Sequence, residues 1–198
     1  MKLTFKLLIG IVVVVLVAAA PFVFDMLDGY QKFSKLCEQE GGARQFIPLE
    51  KNVAWQGASS GNMGLLADFP NIALIRAKPL ARPGNPYPGG LVDYRYLGGN
   101  PRSADSYSIK APDESIQPVY RIVERSDNPP NTERLVRSVL EIVDARSGAV
   151  AFRYTLLTYR FTKPENSFLG MARLANCPEI AFDQSGSSLR KFNISFKE

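Results

Sequence analysis

Catalysis by a folded chain needs groups that accept protons, hold metals or attack bonds, and this sequence lacks the commonest of them. Its 198 residues contain no histidine. That removes Ser-His-Asp and Cys-His hydrolytic arrangements, most zinc sites and the usual general base. No Walker loop, dinucleotide-binding glycine pattern, calcium loop or nucleophile elbow occurs. Gly57-Ala58-Ser59-Ser60-Gly61 has the outline of a Gly-x-Ser-x-Gly elbow, but it lacks the strand–turn–helix setting and a base, and it reads as a loop. A Ser–Lys dyad needs no imidazole. Lys51, Lys78, Lys110 and Lys163 are available for one, yet nothing ties any of them to a serine. Glycan hydrolysis needs two acids about 5 to 10 Å apart. Glu50, Asp68, Asp93, Asp113 and Glu114 are the acids on hand, and no spacing joins two of them. The expectation is a protein that is not an enzyme, with no catalytic residue, cofactor or metal.

Groups suited to recognition are better represented. Arg121, Arg125, Arg134, Arg137, Arg153 and Arg160 fall on the strands predicted in the central region. Guanidinium forks on one sheet face would grip carboxylates or phosphates. Glu124, Glu133, Glu141 and Asp144 lie on the same elements and can pair with the arginines across strands. A solvated face of mixed pairs is therefore favoured over a bare basic face. Residues 79–102 form a second candidate, a stretch rich in proline and glycine that carries tyrosines. Such a loop suits recognition, although an irregular crossover is the simpler reading. The candidate binding surface is thus Tyr87, Tyr94, Tyr96, Arg121, Arg137 and Arg153. Trp55 reads as packing.

These side chains must be positioned by strands. Asn71 to Ala77 reads as a buried strand, and Arg44 to Val53 alternates loosely. Leu91 to Tyr96 is a short apolar–aromatic piece within the Pro/Gly stretch. Val119 to Arg125 and Glu133 to Val143 are predicted strands, separated by a turn over Asp127-Asn128-Pro129-Pro130-Asn131 that no strand could traverse. Asp144 to Gly148 is a hairpin turn with Gly148 at a left-handed position. Ala149 to Phe161 follows as the next strand, with Val150, Phe152, Tyr154 and Leu156 on one face. Residues 167–176 suggest a short helix or turn delivering Cys177. Phe192, Ile194 and Phe196 alternate as a half-buried edge strand.

The start of the chain is different in kind. Lys2 and Lys6 precede an uncharged apolar run from Leu7 to Phe24, broken only by Pro21. As a helix the run would be about 27 Å long, close to the hydrocarbon thickness of a bilayer. Lysines before it and Asp25 and Asp28 after it favour an amino terminus in the cytoplasm and the bulk of the chain outside. The Val17-Ala18-Ala19 and Ala18-Ala19-Ala20 triplets allow a cleaved signal peptide instead. Pro21 and the continuation through Phe22-Val23-Phe24 favour a retained anchor. Leu27, Tyr30, Phe33 and Leu36-Cys37 then make one helical stripe suited to packing on a domain, and Gly41-Gly42 stops the helix.

Without its first 24 residues the chain keeps 22 basic and 19 acidic side chains, too balanced for nucleic acid. It has two cysteines, Cys37 and Cys177, and outside the cytoplasm so separated a pair is read as a disulfide. Closing that loop is worth at most about 5 kcal/mol by chain entropy.

The apolar start, the Leu36-Cys37-Glu38-Gln39-Glu40-Gly41-Gly42 segment, the Asp144-to-Gly148 hairpin and the late Cys177 together resemble small bacterial envelope proteins of unassigned function. The resemblance implies an inner-membrane protein facing the periplasm and carries no activity. The expected architecture is α+β. A transmembrane anchor over 1–24 continues as an amphipathic helix over 25–42, packed on a mainly antiparallel sheet of five to seven strands within an exported domain over 43–198. The expected function is non-catalytic: a membrane-anchored binding or accessory protein with an envelope protein partner, such as an assembly subunit or an immunity or exclusion protein. The competing readings are a histidine-free enzyme acting on cell-wall or lipid substrates, and a sensor of small anionic ligands.

Overall fold

The computed structural model describes residues 2–79, 90–101, 103–130, 132, 134–161, 174–177 and 194–197. Along the first helix, side chains are described at Gly10 and from Val13 onward, Val15 and Ala18 excepted. Tyr87 and Lys163 lie outside the described residues, as does most of the segment expected to deliver Cys177.

The chain is α+β, and its sheet is mostly antiparallel. Helix α1 (Lys2–Glu40) runs unbroken for 39 residues with Pro21 inside it. Proline deprives one carbonyl of its partner, but Pro21 does not divide the helix. Among the described residues no helix is long and apolar enough to cross a membrane. Val13, Val14, Leu16, Val17, Phe22 and Phe24 are all exposed.

Among the described residues nine strands follow: β1 (Gly42–Gln45), β2 (Val53–Gln56), β3 (Ile72–Ala77), β4 (Val92–Tyr96), β5 (Tyr107–Lys110), β6 (Tyr120–Asp127), β7 (Leu135–Asp144), β8 (Val150–Arg160) and β9 (Leu174–Cys177). A one-turn helix, α2 (Leu65–Asp68), lies between β2 and β3. The sheet order is β1-β8-β7-β6-β2-β3-β4-β5, with β9 continuing the edge that β1 begins along β8. Among the described strands the parallel pairings are those of β2, with β3 and with β6.

The long β6–β7–β8 meander matches the predicted strands, and Gly148 adopts φ +73° in its hairpin turn. Asp144 fixes that turn by accepting from the Arg146 and Ser147 N–H groups at 2.8 and 3.0 Å. Four expectations need correcting. The described residues hold nine strands against the five to seven expected, because the four-residue β1, β2, β5 and β9 are too short for their alternation to stand out. The apolar–aromatic piece Leu91 to Tyr96 is not part of an exposed loop surface, since it forms β4, where Val92, Asp93 and Tyr94 are buried. Asp127 ends β6 instead of opening a turn. Val150 does not share a face with Phe152, because a register shift places it opposite Val143. Near the carboxyl end, Phe196 forms only an isolated parallel bridge to Leu49 among the described residues.

Side chains of successive strand residues alternate between faces, and directly opposed residues share one. Ile122, Ile142, Phe152 and Tyr154 therefore project to one face, where they join Trp55, Leu49, Leu66, Ile75 and Val92 in the main core. On the other face Leu135, Leu157, Tyr159 and Cys177 receive Phe33 from α1 in a second core. The predicted stripe is only partly used: Phe33 is buried, Leu36 and Cys37 are half-buried, and Leu27 stays exposed.

The helix is locked there at several points. Cys37 and Cys177 form a disulfide, with Cα atoms 5.7 Å apart across a separation of 140 residues. Tyr159 packs against Tyr30 and Phe33 and donates its hydroxyl to the Met26 carbonyl at 2.8 Å. Gly29 makes this approach feasible, since a Cβ there would lie 2.7 Å from the Tyr159 hydroxyl oxygen. Gly29→Ala should therefore cost about 1–3 kcal/mol by overpacking. Tyr159→Phe should cost about 0.5–1.5 kcal/mol through the lost hydrogen bond. The double variant should lose less than the sum, because the clashing oxygen is gone. Equilibrium unfolding of all three variants checks this, and strict additivity would contradict the contact.

Candidate functional site

On the helix-bearing face, beyond the carboxyl end of α1, the sheet is left open. Glu40, Gly42, Arg44, Arg125, Asp127, Arg137, Val139, Arg153 and Thr155 line a hollow of about 480 Å³ there. Strand register explains the assembly. One row across the sheet runs Asp127–Arg137–Leu157, the next Arg125–Val139–Thr155–Gly42, and the next Val123–Glu141–Arg153–Arg44. Buried Val139 and Thr155 form the floor, Arg125 stands at the end of their own row, and Arg137, Arg153 and Arg44 come from the rows on either side.

Most of the charge is paired. Arg137 donates to both oxygens of Asp127 at 3.0 and 2.6 Å and to Glu40 at 2.9 Å. The hydrogen bond from Arg137 holds the Asp127 carboxyl below the ordinary aspartate value. Bonds to Asp127 and then Glu40 raise Arg137 in turn, so the Asp127–Arg137 pair stays charged at neutral pH. Glu141 is buried and accepts through one oxygen from Arg153 Nε at 2.7 Å and from Arg125 Nη2 at 3.3 Å. Arg44 differs: among the described residues no carboxylate pairs with it, and its guanidinium donates to the Gln39 carbonyl at the end of α1. Arg153 also lies 5.9 Å from the centre of the exposed Phe46 ring.

Of the five candidate surface residues that are described, Arg137 and Arg153 come together and the others do not. Arg121 shares their face but not the hollow, and is exposed opposite Val143. Tyr94 is buried in the main core, so it offers no surface. Tyr96 is half-buried, donating its hydroxyl to Gly99 O at 2.6 Å and packing on Tyr107. Arg134 is drawn under α1 instead, where it is buried against Asp25 at 2.7 Å and lies 5.2 Å from the centre of the Phe22 ring. The mixed pairing expected of the sheet face holds for Glu141, while Glu124 is bonded by the Asn62 amide at 2.6 Å. Sequence reasoning missed Arg44, Glu40 and Asp127 as site residues. Gly42-x-Arg44-x-Phe46 is the only local signal, and its meaning depends on pairing with a strand more than a hundred residues away.

The other polar constellations are structural. Gly57 to Gly61 is a loop entering a 3-10 turn, pinned by Asn62, whose side-chain oxygen accepts from Ser59 N at 3.0 Å. Among the described residues no hydrogen bond joins Lys51, Lys78 or Lys110 to a serine, and no metal-ligating cluster occurs. Arg76 and Asp93, directly opposed on β3 and β4, form a buried fork with bonds of 2.7 and 2.9 Å. Asp113 completes it, accepting from Arg76 through its carbonyl and donating its N–H to Asp93 at 2.8 and 3.0 Å.

Burial pushes the Asp93 carboxyl up, but the Arg76 bond, the Asp113 N–H and the Arg76 charge outweigh it, leaving the group below its ordinary 3.8. A depressed carboxyl stabilises the fold fully above the unfolded value, and the gain disappears as pH falls through the folded one. Unfolding free energy should thus decline below about pH 4. Asp93→Asn should cost about 3–5 kcal/mol at neutral pH by stranding Arg76. It should also flatten the acid decline, which denaturant titrations across pH will measure.

In comparisons with protein-family models, curated proteins and solved structures, none matches this chain.

Proposed function

We propose that this chain is a non-catalytic binding or accessory protein, anchored in a membrane through residues 1–24, with its sheet domain on the non-cytoplasmic side. In the bacterial setting that the resemblance implies, these are the inner membrane and the periplasm. The partner would be an envelope protein, in an assembly or in an immunity or exclusion complex. One observation carries the reading: α1 continues without interruption from the uncharged run Leu7–Phe24 into residues fastened to the sheet. Exposed Val13, Val14, Leu16, Val17, Phe22 and Phe24 have an apolar surface that water penalises and lipid would cover. The disulfide fits an oxidising compartment. Fastening at Asp25, Met26, Phe33 and Cys37 fixes the domain to the anchor instead of hanging it on a flexible tether.

A second reading, a sensor of small anionic ligands, is favoured by the arginine-lined hollow. The two are compatible, since a tethered binding module can take a ligand as well as a partner.

Membranes from cells making the full chain provide the test. The protein should stay in the pellet after alkaline carbonate washing, and removal of residues 2–24 should release it. Both thiols should react with a maleimide only after reduction. Crosslinking in intact cells should join the chain to a defined envelope protein. Release of the full chain by carbonate, or labelling without reductant, would overturn the placement. Recovery of no specific partner under conditions that capture known envelope complexes would count against the accessory role.

A further inference from the structure

We infer that the hollow between the end of α1 and strands β1, β6, β7 and β8 is a binding site for a small anion, a carboxylate or phosphate group held between Arg44 and Arg153. Directly opposed positions on antiparallel strands bring side chains together, and like charges there are unfavourable. Arg44 and Arg153 occupy such positions. Arg153 is committed to Glu141 through Nε alone, whereas Arg44 has only the Gln39 carbonyl. Among the described residues, four guanidinium groups stand around the hollow against the carboxylates of Glu40, Asp127 and Glu141, so one positive charge is in excess. Arg137 holds two of those carboxylates, and a single Glu141 oxygen is shared between Arg125 and Arg153. The excess therefore falls on the Arg44–Arg153 pair. A guanidinium presents several donors in one plane, and two of them facing each other suit an oxyanion with two or three oxygens.

Room for that oxyanion is built into the backbone. Gly42, opposite Thr155, has φ +94°, and a Cβ placed on it would meet nothing within 4 Å. The volume of about 480 Å³ lies within the range of small-ligand sites. Exposed Phe46, just beyond β1 and with its ring centre 5.9 Å from the Arg153 guanidinium, offers an aromatic surface beside the hollow for the remainder of the ligand. The site sits at the end of α1 away from the apolar run. About sixteen residues of helix separate Glu40 from Phe24, or about 24 Å along its axis.

This assignment deepens the binding-module reading and rests on it, and the two can fail separately. The full chain in detergent is titrated with inorganic phosphate and, in parallel, with succinate, each against sodium chloride at matched ionic strength. Calorimetry and thermal unfolding are the readouts. Either probe should bind saturably and raise the midpoint beyond the chloride control, and the stronger of the two identifies the phosphate or carboxylate source. Arg44→Gln should weaken that binding by about tenfold or more, the worth of one charge-assisted hydrogen bond. Without ligand the variant should unfold no earlier than the wild type, because a like-charge pair has been relieved. Arg44→Lys should fall between the two in affinity. A purely structural Arg44 would give the opposite pattern, with a lower midpoint and an unchanged anion response. Equal behaviour with chloride, or undiminished binding by Arg44→Gln, would sink the assignment. If that happens while the chain keeps its carbonate-resistant membrane attachment and its partner, the broader reading stands.

Discussion

The contact on which the rest of the structure depends is the seating of α1 on β8. Tyr159 reaches the helix backbone at Met26 through a notch that only Gly29 can provide, and Phe33 fills the space beside it. A long helix with exposed apolar residues at one end and charged residues along the rest has little tendency to settle on a sheet by itself. Burying Phe33 and Tyr159 supplies about 1.5–3 kcal/mol each. The disulfide to β9 keeps the helix from lifting off, and the Arg134–Asp25 and Arg137–Glu40 pairs set its lateral position. The pairs alone would contribute little where they face solvent. Their value is in fixing which way α1 lies.

That seating divides one sheet face into two environments. Under the helix it is apolar, built from Leu135, Leu157, Tyr159 and Cys177. Beyond Glu40 the helix has ended and the same strands present arginine, glutamate and threonine over a valine floor. The chain then turns back at Gly42 and lays β1 along β8, which brings Arg44 to Arg153. The hollow thus exists because a helix stops where the sheet continues, and its charge excess arises because the returning strand adds a cation without an acid. The opposite face has no such division, since Trp55, Tyr120, Ile142 and Phe152 close it into a continuous core.

Strands with strong local signals were legible. The β6–β7–β8 meander combines alternating branched residues with a proline-marked turn and a glycine-marked hairpin, and each signal acts within a few residues. The short strands were not, because four residues carry too little alternation to distinguish them from loop. Tyr94 shows the same limit in a different form. Its neighbourhood is rich in proline and glycine, which suggests a surface, yet pairing with β3 and β5 buries it. Arg76 and Asp93 gave no signal either, since a buried ion pair is defined by which strands lie side by side.

By itself the sequence determined the properties that depend on composition and on near neighbours. These are the uncharged helical run, the helix stop at Gly41-Gly42, the pairing of its two cysteines, the hairpins, and the removal of imidazole chemistry through the absence of histidine. Only the tertiary structure decided which arginines meet. Arg134 went under the helix, Arg121 stayed apart, and Arg125, Arg137 and Arg153 converged with Arg44, which no local pattern singled out. The reason is register. A shift of one residue between β1 and β8 would turn every side chain to the other face and dissolve the hollow, and that register is set by packing between segments more than a hundred residues apart.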